Sequence, residues 1–210
     1  MRDLVILGVG VHAAEMAELV ERINRVSPAY RLLGFLADEP RRHMVGRDLN
    51  GYPVLGLSDQ TSAYPGAAFA FSQEFQDPVE LESEQWASLV DPSAVVSRAA
   101  KVGRGCILFA HVWVGLNARL GERVFVLPGC VISHDANVED EVAMASGVTL
   151  AGGVRVGPGC FLGQSCTVRQ NINVGKGSLI GMGAVVVDDV PPNSVMAGNP
   201  ARRMRDRFPE

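Results

Sequence analysis

The sequence predicts a small α/β unit followed by a long parallel β-helix, and three observations support this fold class. An apolar residue recurs at every sixth position from Val90 to Val186. Ahead of that repeat, an apolar segment, a glycine turn and an amphipathic segment follow one another within the first 26 residues. The 210 residues include 23 glycines but only 6% aromatics, a composition that favours a core of aliphatic and small side chains.

The first 88 residues have the pattern of an α/β unit. Residues 4–7 form a short apolar run, which predicts a buried strand. Apolar residues in the segment 13–26 recur at helical spacing, with charged residues on the other side. Further strands are predicted at 32–36 and 67–71. This order of strand, turn, helix and strand predicts half of a Rossmann-like nucleotide-binding fold.

The turn after the first strand contains Gly8 and Gly10 in a Gly-x-Gly-x-x-Ala pattern. A dinucleotide site is disfavoured, because no second half of the fold follows. Asp38 also lies farther along the chain than the ~20 residues typical of a ribose contact. Two interpretations stay open: a plain turn without a ligand, or a turn that binds the nucleotide or sugar part of a substrate.

The second half is a hexapeptide repeat, which is the strongest signal in the sequence. Each hexad starts with a large apolar residue and has a small or β-branched residue four positions later. The small residue of one hexad and the large residue of the next are two positions apart, so they share one strand face. Each hexad therefore predicts one short strand and one corner. Glycine often follows the large residue, where we expect it to permit the tight corner. The seventeen large residues are Val90, Val96, Val102, Leu108, Val114, Leu120, Val126, Ile132, Val138, Met144, Leu150, Val156, Leu162, Val168, Val174, Ile180 and Val186.

All four cysteines fall in the column of small residues. We expect them to be reduced packing residues, because they form no Cys-x-x-Cys pair. They are Cys106, Cys130, Cys160 and Cys166.

The chain end carries a helix-start signal. Asn199 is a favourable N-cap residue and Pro200 suits the first helical position, so a short C-terminal helix is predicted. It would cover the open end of the β-helix. The predicted domains are therefore 1–88, 89–198 and a helical cap at 199–210.

Charge and hydropathy exclude several classes of function. The net charge of −4 argues against a nucleic-acid-binding surface. No apolar run of ~18 residues is present, so no membrane span is expected. The first residues lack the features of a signal peptide, which makes the cytoplasm the expected compartment.

Five segments resemble one known family: residues 8–12, 51–56, 131–135, 151–157 and 197–201. They are similar to bacterial nucleotide-sugar acetyltransferases of the left-handed β-helix superfamily. That family includes the bacillosamine-pathway N-acetyltransferases and the sialic acid O-acetyltransferases of glycan biosynthesis. The resemblance implies a left-handed helix with 18-residue coils, acetyl-CoA as donor and a homotrimer. It also implies an active site between neighbouring β-helices, with the catalytic base at His134.

His134 stands third in its hexad, at a corner and outside the packing columns. An imidazole ordinarily titrates near 6.5, so it can accept the proton that an attacking amine or hydroxyl loses. The other interpretation is an exposed corner histidine without a role. The adjacent Asp135 either orients the imidazole or is a solvated carboxylate.

The resemblance also suggests contacts to acetyl-CoA. With an 18-residue coil, Gly152 lies one coil beyond His134 and offers an N–H to the developing oxyanion. The alternative is a glycine required only by the corner. Gly153 is assigned, together with Gly152, to the acetyl-CoA site. Gly181 and Met182 match family positions along the pantetheine groove, and Arg202 is a candidate contact to the CoA phosphates.

The substrate-binding residues expected in the first unit are Gly8, Gly10, His12 and Asp38. His12 matches a family histidine that helps to place the sugar nucleotide, and Asp38 is close to an acidic position that contacts the nucleoside.

The sequence departs from the family pattern at four places. Val11 replaces a usual glycine, and the segment ending at Ser72 lacks a usual Gly-Asn or Gly-Asp. Leu127 and Ala143 stand where an active-site asparagine and a second histidine are common.

We therefore expect an acetyl-CoA-dependent enzyme that acetylates the amino group of a nucleotide-linked amino-deoxy sugar by direct attack. The alternative is O-acetylation of a sialic acid or a related sugar hydroxyl. No metal is expected. A zinc carbonic anhydrase on the same fold needs three histidine ligands, and the repeat contains only His111 and His134. A non-enzymatic scaffold remains a third possibility.

Overall fold

The computed structural model describes residues 1–75 and 77–207. The chain divides into two compact units, Met1–Pro92 and Ser93–Glu210.

The first unit is a five-stranded sheet with one α-helix. Its helix α1 spans Val11–Val26, and 3₁₀ helices span Glu39–Met44, Ser58–Ala63 and Ser83–Gln85. The strands of this sheet are β1 (Arg2–Leu7), β2 (Tyr30–Ala37), β3 (Asp48–Leu49), β4 (Tyr52–Leu57) and β5 (Ala68–Phe71), and a further short strand of the unit, β6 (Leu89–Val90), lies outside it. The sheet order is β3-β4-β2-β1-β5, parallel throughout except for the edge strand β3, which is antiparallel to β4.

Helix α1 follows the glycine turn as the sequence predicts. Its apolar stripe is buried at Ala13, Met16, Ala17, Leu19 and Val20. The buried ends of β1, β2 and β5 contribute to the core of this unit. Among the described residues, no helix combines the length and the apolar composition needed to cross a membrane.

Strands β3 and β4 are absent from the sequence-based assignment. Pro53 and Gly56 disfavour a strand locally, and β4 has little apolar alternation. Pairing with β2, where Phe35 lies opposite Val54, nevertheless places the segment in the sheet. Tertiary pairing therefore overrides local propensity here.

The second unit consists of short strands arranged as a parallel β-helix. All but the last two strands contain two residues. They are β7 (Val95–Val96), β8 (Lys101–Val102), β9 (Ile107–Leu108), β10 (Trp113–Val114), β11 (Arg119–Leu120), β12 (Phe125–Val126), β13 (Val131–Ile132), β14 (Asn137–Val138), β15 (Ala143–Met144), β16 (Thr149–Leu150), β17 (Arg155–Val156), β18 (Phe161–Leu162), β19 (Thr167–Val168), β20 (Asn173–Val174), β21 (Leu179–Ile180), β22 (Val185–Val186), β23 (Ser194–Ala197) and β24 (Arg202–Asp206).

Each coil contains 18 residues. Val131 pairs with Thr149, and Thr149 pairs in turn with Thr167, always in parallel. Every third strand therefore joins the same sheet, which gives the β-helix three faces. Counting the strands of this unit, face 1 contains β7, β10, β13, β16, β19 and β22, face 2 contains β8, β11, β14, β17 and β20, and face 3 contains β9, β12, β15, β18, β21, β23 and β24.

The two predicted columns fill the interior. From residue 106 onwards, both the large residues and the small residues four positions later are buried. The four cysteines are free and buried among them, as predicted.

The glycines that follow the large residues have a different purpose from the one expected. A Cβ on Gly157 would lie 2.7 Å from the backbone nitrogen of Lys176 in the next coil, and Gly115 has a similar constraint against His134. Neither glycine has a positive φ, so close approach between coils explains them, and the corner does not.

The left-handed backbone occurs two residues further along, at the fourth position of the hexad. Non-glycine residues with positive φ there include Asn117 (58°), Asp135 (58°) and Asn171 (62°). Asparagine and aspartate tolerate this conformation better than most side chains. From Gly105 to Gly183, each corner is therefore formed by a residue pair whose second member is left-handed.

The predicted C-terminal helix is wrong, because residues 202–206 form strand β24. It runs antiparallel to β23, with Ala197 opposite Arg202. The edge of the last coil carries unpaired backbone N–H and C=O groups, and a paired strand satisfies them directly. The local signal from Asn199 and Pro200 is therefore overridden by strand pairing.

Candidate active site

The corner between β13 and β14 places His134 beside Asp135. His134 Nδ1 lies 2.8 Å from Asp135 Oδ2, and the two side chains are 67% and 57% exposed. Asn117, one coil earlier, donates from Nδ2 to Asp135 Oδ1 at 3.1 Å. The backbone of Asp135 is left-handed at this corner, with a φ of 58°, and its side chain contacts that of the preceding residue.

The hydrogen bonds from His134 and then from Asn117 hold the pKa of Asp135 below its usual range. An ionised carboxylate only accepts hydrogen bonds, so the proton of a neutral imidazole resides on Nδ1. Nε2 of His134 is then the free acceptor of the ring. This is the arrangement that a base acting through Nε2 requires.

Gly152 lies directly under the imidazole in the next coil. A Cβ at this position would fall 2.5 Å from His134 Cε1 and 2.6 Å from Nε2. Any side chain on residue 152 would therefore displace the ring. The Gly152 carbonyl accepts a hydrogen bond from the Asn171 N–H, whereas the Gly152 N–H has no acceptor among residues 1–75 and 77–207.

Gly153 has a structural constraint of its own. Its N–H donates to the His134 carbonyl at 3.0 Å, which is part of the ladder between coils. Its φ of 69° is left-handed, and a Cβ would contact Asn171 Oδ1. The Gly153 N–H is therefore already engaged, unlike that of Gly152.

The remaining residues assigned to the donor site lie elsewhere. Gly181 and Met182 follow β21 at the corner between face 3 and face 1, whereas His134 lies between face 1 and face 2. Met182 is 75% exposed. Arg202 lies exposed on β24. One chain therefore does not bring these three residues to the His134 corner.

Asn117 was missed from the sequence. An 18-residue step back from Asp135 would have found it, in the way that the forward step from His134 found Gly152. Because the residue is polar and occupies a corner position, its type alone carries no functional signal.

The expected substrate residues of the first unit gather where β1 and β2 end. Gly8 and Gly10 form the turn into α1, and a Cβ on Gly10 would contact the Glu74 carboxylate. Glu74 Oε1 lies 3.0 Å from His12 Nδ1 and 3.5 Å from the His12 backbone nitrogen. The N-terminus of α1 therefore has a carboxylate of the chain itself beside it.

Asp38 lies at the end of β2 and is only 1% exposed. Its Oδ2 pairs with Arg41 Nη1 at 2.6 Å. In the part of the chain that the structure describes, Asp38 Oδ1 and the buried Ser72 Oγ have no hydrogen-bond partner. Buried polar atoms are nearly always paired, so these two atoms mark a candidate ligand site. The sequence pattern did not find Ser72 or Glu74, because both lie in an irregular loop after β5.

Within the described residues, no group of three histidine, cysteine or acidic side chains is arranged to hold a metal ion.

Comparison with known proteins identifies acetyltransferases. The chain is similar to the acetyltransferase domain of PglB from Neisseria gonorrhoeae FA1090, with 26% identity and a TM-score of 0.83 over 97% of this chain and 100% of that one. The same domain in complex with acetyl coenzyme A matches with a TM-score of 0.84, over 97% of this chain and 99% of that one. The resemblance drawn from the sequence is confirmed. The second unit matches a left-handed β-helix, and the similarity supports an acyltransferase enzyme.

Two more distant neighbours share the fold. A variant of GDP-perosamine N-acetyltransferase from Caulobacter crescentus, solved with CoA and GDP-perosamine, matches at 22% identity and a TM-score of 0.80 over 98% of both chains. WeeI from Acinetobacter baumannii AYE matches at 21% identity and a TM-score of 0.78, over 97% of this chain and 100% of that one. No protein-family model matches the chain, and no curated protein matches it.

Proposed function

We propose that this protein transfers the acetyl group of acetyl-CoA to the amino group of a nucleotide-linked amino-deoxy sugar. The observation that carries the proposal is the His134–Asp135 pair lying over Gly152, on a β-helix similar to an acetyltransferase domain that binds acetyl coenzyme A. The GDP-perosamine complex of a structural neighbour supports a nucleotide sugar as the acceptor class.

In the proposed mechanism the substrate amine attacks the thioester carbonyl directly. Nε2 of His134 accepts the proton that the amine loses, and the carbonyl oxygen becomes an oxyanion. The C–S bond then breaks, the amide forms, and the imidazolium returns its proton to the CoA thiolate. Asp135 stabilises the imidazolium and holds its orientation. The Gly152 N–H, which has no acceptor among the described residues, donates to the oxyanion in this mechanism.

We place the working site between copies of the chain in a homotrimer. Gly181 and Met182 occupy a different corner from His134, so the pantetheine contacts assigned to them require a second copy. Face 1 carries an apolar column in which the exposed Val95 and Trp113 and the half-buried Val131 are in register. Trp113 is 51% exposed, and apolar patches of this kind mark interfaces.

We assign the first unit as a Rossmann-like substrate-binding domain. The buried oxygens of Asp38 and Ser72, which have no partner among residues 1–75 and 77–207, support a polar ligand at the end of the sheet. Because Glu74 already places a negative charge at the start of α1, this turn suits the neutral nucleoside or sugar part better than its phosphates.

The test is a CoA-release assay with acetyl-CoA and a panel of nucleotide-linked amino sugars, their hydroxyl analogues and free sialic acid. We expect turnover with at least one amino sugar and a product of the mass of its N-acetyl derivative. Turnover only with a hydroxyl acceptor would establish the O-acetyl alternative. Absence of turnover together with absence of acetyl-CoA binding in calorimetry would contradict the proposed function.

The role of His134 is tested by His134→Asn, with His111→Asn as the matched control on another exposed corner of the same β-helix. An amide does not take up a proton at neutral pH, so His134→Asn should lower kcat by about 10²-fold or more while acetyl-CoA still binds. His111→Asn should retain kcat. Near-normal turnover of His134→Asn would remove this residue from the mechanism.

A further inference from the structure

Face 2 carries a column of cations beside the candidate active site. Lys101 lies opposite Arg119, Arg119 opposite Asn137, and Asn137 opposite Arg155, each pair in register across neighbouring coils. These are the outward residues of their strands, and the three cations are exposed. We call Lys101, Arg119, Asn137 and Arg155 the basic column.

The basic column lowers the stability of the protein when no ligand is bound. Like charges directly opposite each other in a sheet destabilise it, and Lys101 and Arg119 are such a pair. Within the described ranges 1–75 and 77–207, none of the three cations has a carboxylate partner, whereas Arg123, for example, pairs with Glu141 at 2.6 Å. Cations arranged in this way are expected where a bound anionic ligand supplies the neutralising charge.

The basic column lines a groove that extends to Asp135 of the candidate active site. The groove has a volume of about 650 Å³, and Asn117 and Asp135 line it together with all four residues of the column. Asp135 is the residue that contacts the His134 imidazole. A ligand bound along the column would therefore reach the reactive corner.

We propose that the basic column binds the phosphate groups of one of the two substrates, an inference that rests on the proposed function. Both substrates carry a diphosphate, and acetyl-CoA carries a further phosphate on its ribose. Arginine matches phosphate oxygens with two parallel hydrogen bonds, and lysine adds a point charge. Arg119 and Arg155 are two coils apart, roughly 9.6 Å at about 4.8 Å per coil, with the Asn137 amide between them. This spacing suits a run of phosphates better than a single one.

The first experiment uses inorganic pyrophosphate and does not depend on turnover. Calorimetry compares the wild type with Lys101→Gln, Arg119→Gln, Arg155→Gln and the triple variant, with Arg25→Gln at an exposed position of α1 as the control that matches the charge change of each single variant. We expect each single change to weaken pyrophosphate binding about tenfold, the triple variant to bind none, and Arg25→Gln to bind as the wild type does. Equal binding by the triple variant and the control would overturn the proposal, as would the absence of binding to the wild type.

The second experiment distinguishes the two sources of phosphate. Affinities of the same variants are measured for acetyl-CoA, its 3′-dephospho form, UDP and GDP. Weaker binding of acetyl-CoA alone assigns the column to the donor, and a smaller effect with the 3′-dephospho form locates the ribose phosphate there. Weaker binding of UDP or GDP alone assigns it to the sugar nucleotide. Unchanged affinity for all four ligands would refute the inference even if the enzyme acetylates a sugar, whereas a lack of activity with column-dependent binding would contradict only the proposed function.

Discussion

At the scale of single residues, the candidate site depends on a glycine at position 152, where no side chain competes with the His134 ring for space. The imidazole of His134 occupies the space that a Cβ on Gly152 would require. The His134 side chain is 67% exposed, so a substitution at residue 152 should displace the ring towards solvent and disturb the catalytic geometry more than the fold.

We predict that Gly152→Ala lowers kcat by about 10²-fold, because displacement of the reacting base by about 1 Å has effects of this order. Alanine retains the backbone N–H, so the loss reports on the ring and not on oxyanion binding. Steady-state kinetics and a thermal melt of the variant provide the measurement.

The double variant Gly152→Ala/His134→Asn is the control for this prediction. If Gly152 acts through the imidazole, the glycine substitution should cause no further loss in the His134→Asn background. Two independent, multiplicative losses would show that residue 152 has a separate function.

The sequence predicted these residues only where one of two signals existed. His134 and Asp135 lie outside the packing columns of a regular repeat, and Gly152 follows from the coil length. The oxygens of Asp38 and Ser72, unpaired within the described part of the chain, depend on how an irregular loop packs over the ends of the strands, which no periodicity encodes. Asn117 contacts Asp135 only through the register between coils.

At the scale of the strands and corners, two kinds of glycine alternate along the coils. Gly157 lies where two backbones approach too closely for a Cβ, and it has no positive φ. Gly159 has a φ of 66°, and a Cβ added there would meet no atom within 4 Å. At the first kind of glycine a side chain would overlap the next coil. At the second kind the only requirement is a residue that adopts a left-handed backbone.

We therefore predict opposite tolerance at two positions two residues apart. Gly157→Ala should lower the free energy of unfolding by about 1–3 kcal/mol, since the backbone of the next coil must move. Gly159→Asn should change it by about 0.5 kcal/mol or less, because asparagine adopts the same conformation at Asn117 and Asn171. Equilibrium urea unfolding measures both, and equal losses would contradict the distinction.

The type of secondary structure was predictable from the sequence where the apolar periodicity extended over many residues. The strands of the repeat recur with a period that chance does not produce, and α1 has a buried stripe. Strands β4 and β24 were not predictable, because each is specified by a partner strand: β2 for β4 and the exposed edge of β23 for β24. Strand pairing of this kind has no local sequence signal.

At the scale of the whole molecule, face 1 presents apolar side chains and face 2 presents cations. Val95 and Trp113 are exposed, although a single chain gains nothing by exposing them. Their position beside the His134 corner is what a shared active site requires.

We predict that the protein is a trimer in solution and that Trp113→Glu shifts it towards monomer. A charge placed in an apolar contact costs several kcal/mol unless it is paired. Light scattering coupled to size exclusion measures the mass. Val26→Glu, the same kind of change at an exposed apolar position on α1, should leave the mass unchanged. A trimer unaffected by Trp113→Glu would place the interface on another face.

The buried cysteines also determine how the protein responds to thiol chemistry. Desolvation raises the pKa of Cys106 and Cys130 to about 11 and that of Cys166 to about 12, and it raises that of Cys160. At a pKa of 11, only about one thiol in 10⁴ is ionised at neutral pH, and the thiolate is the form that oxidants and alkylating reagents attack. The intact coil thus shields four potentially reactive groups, and their modification would report that a coil has opened.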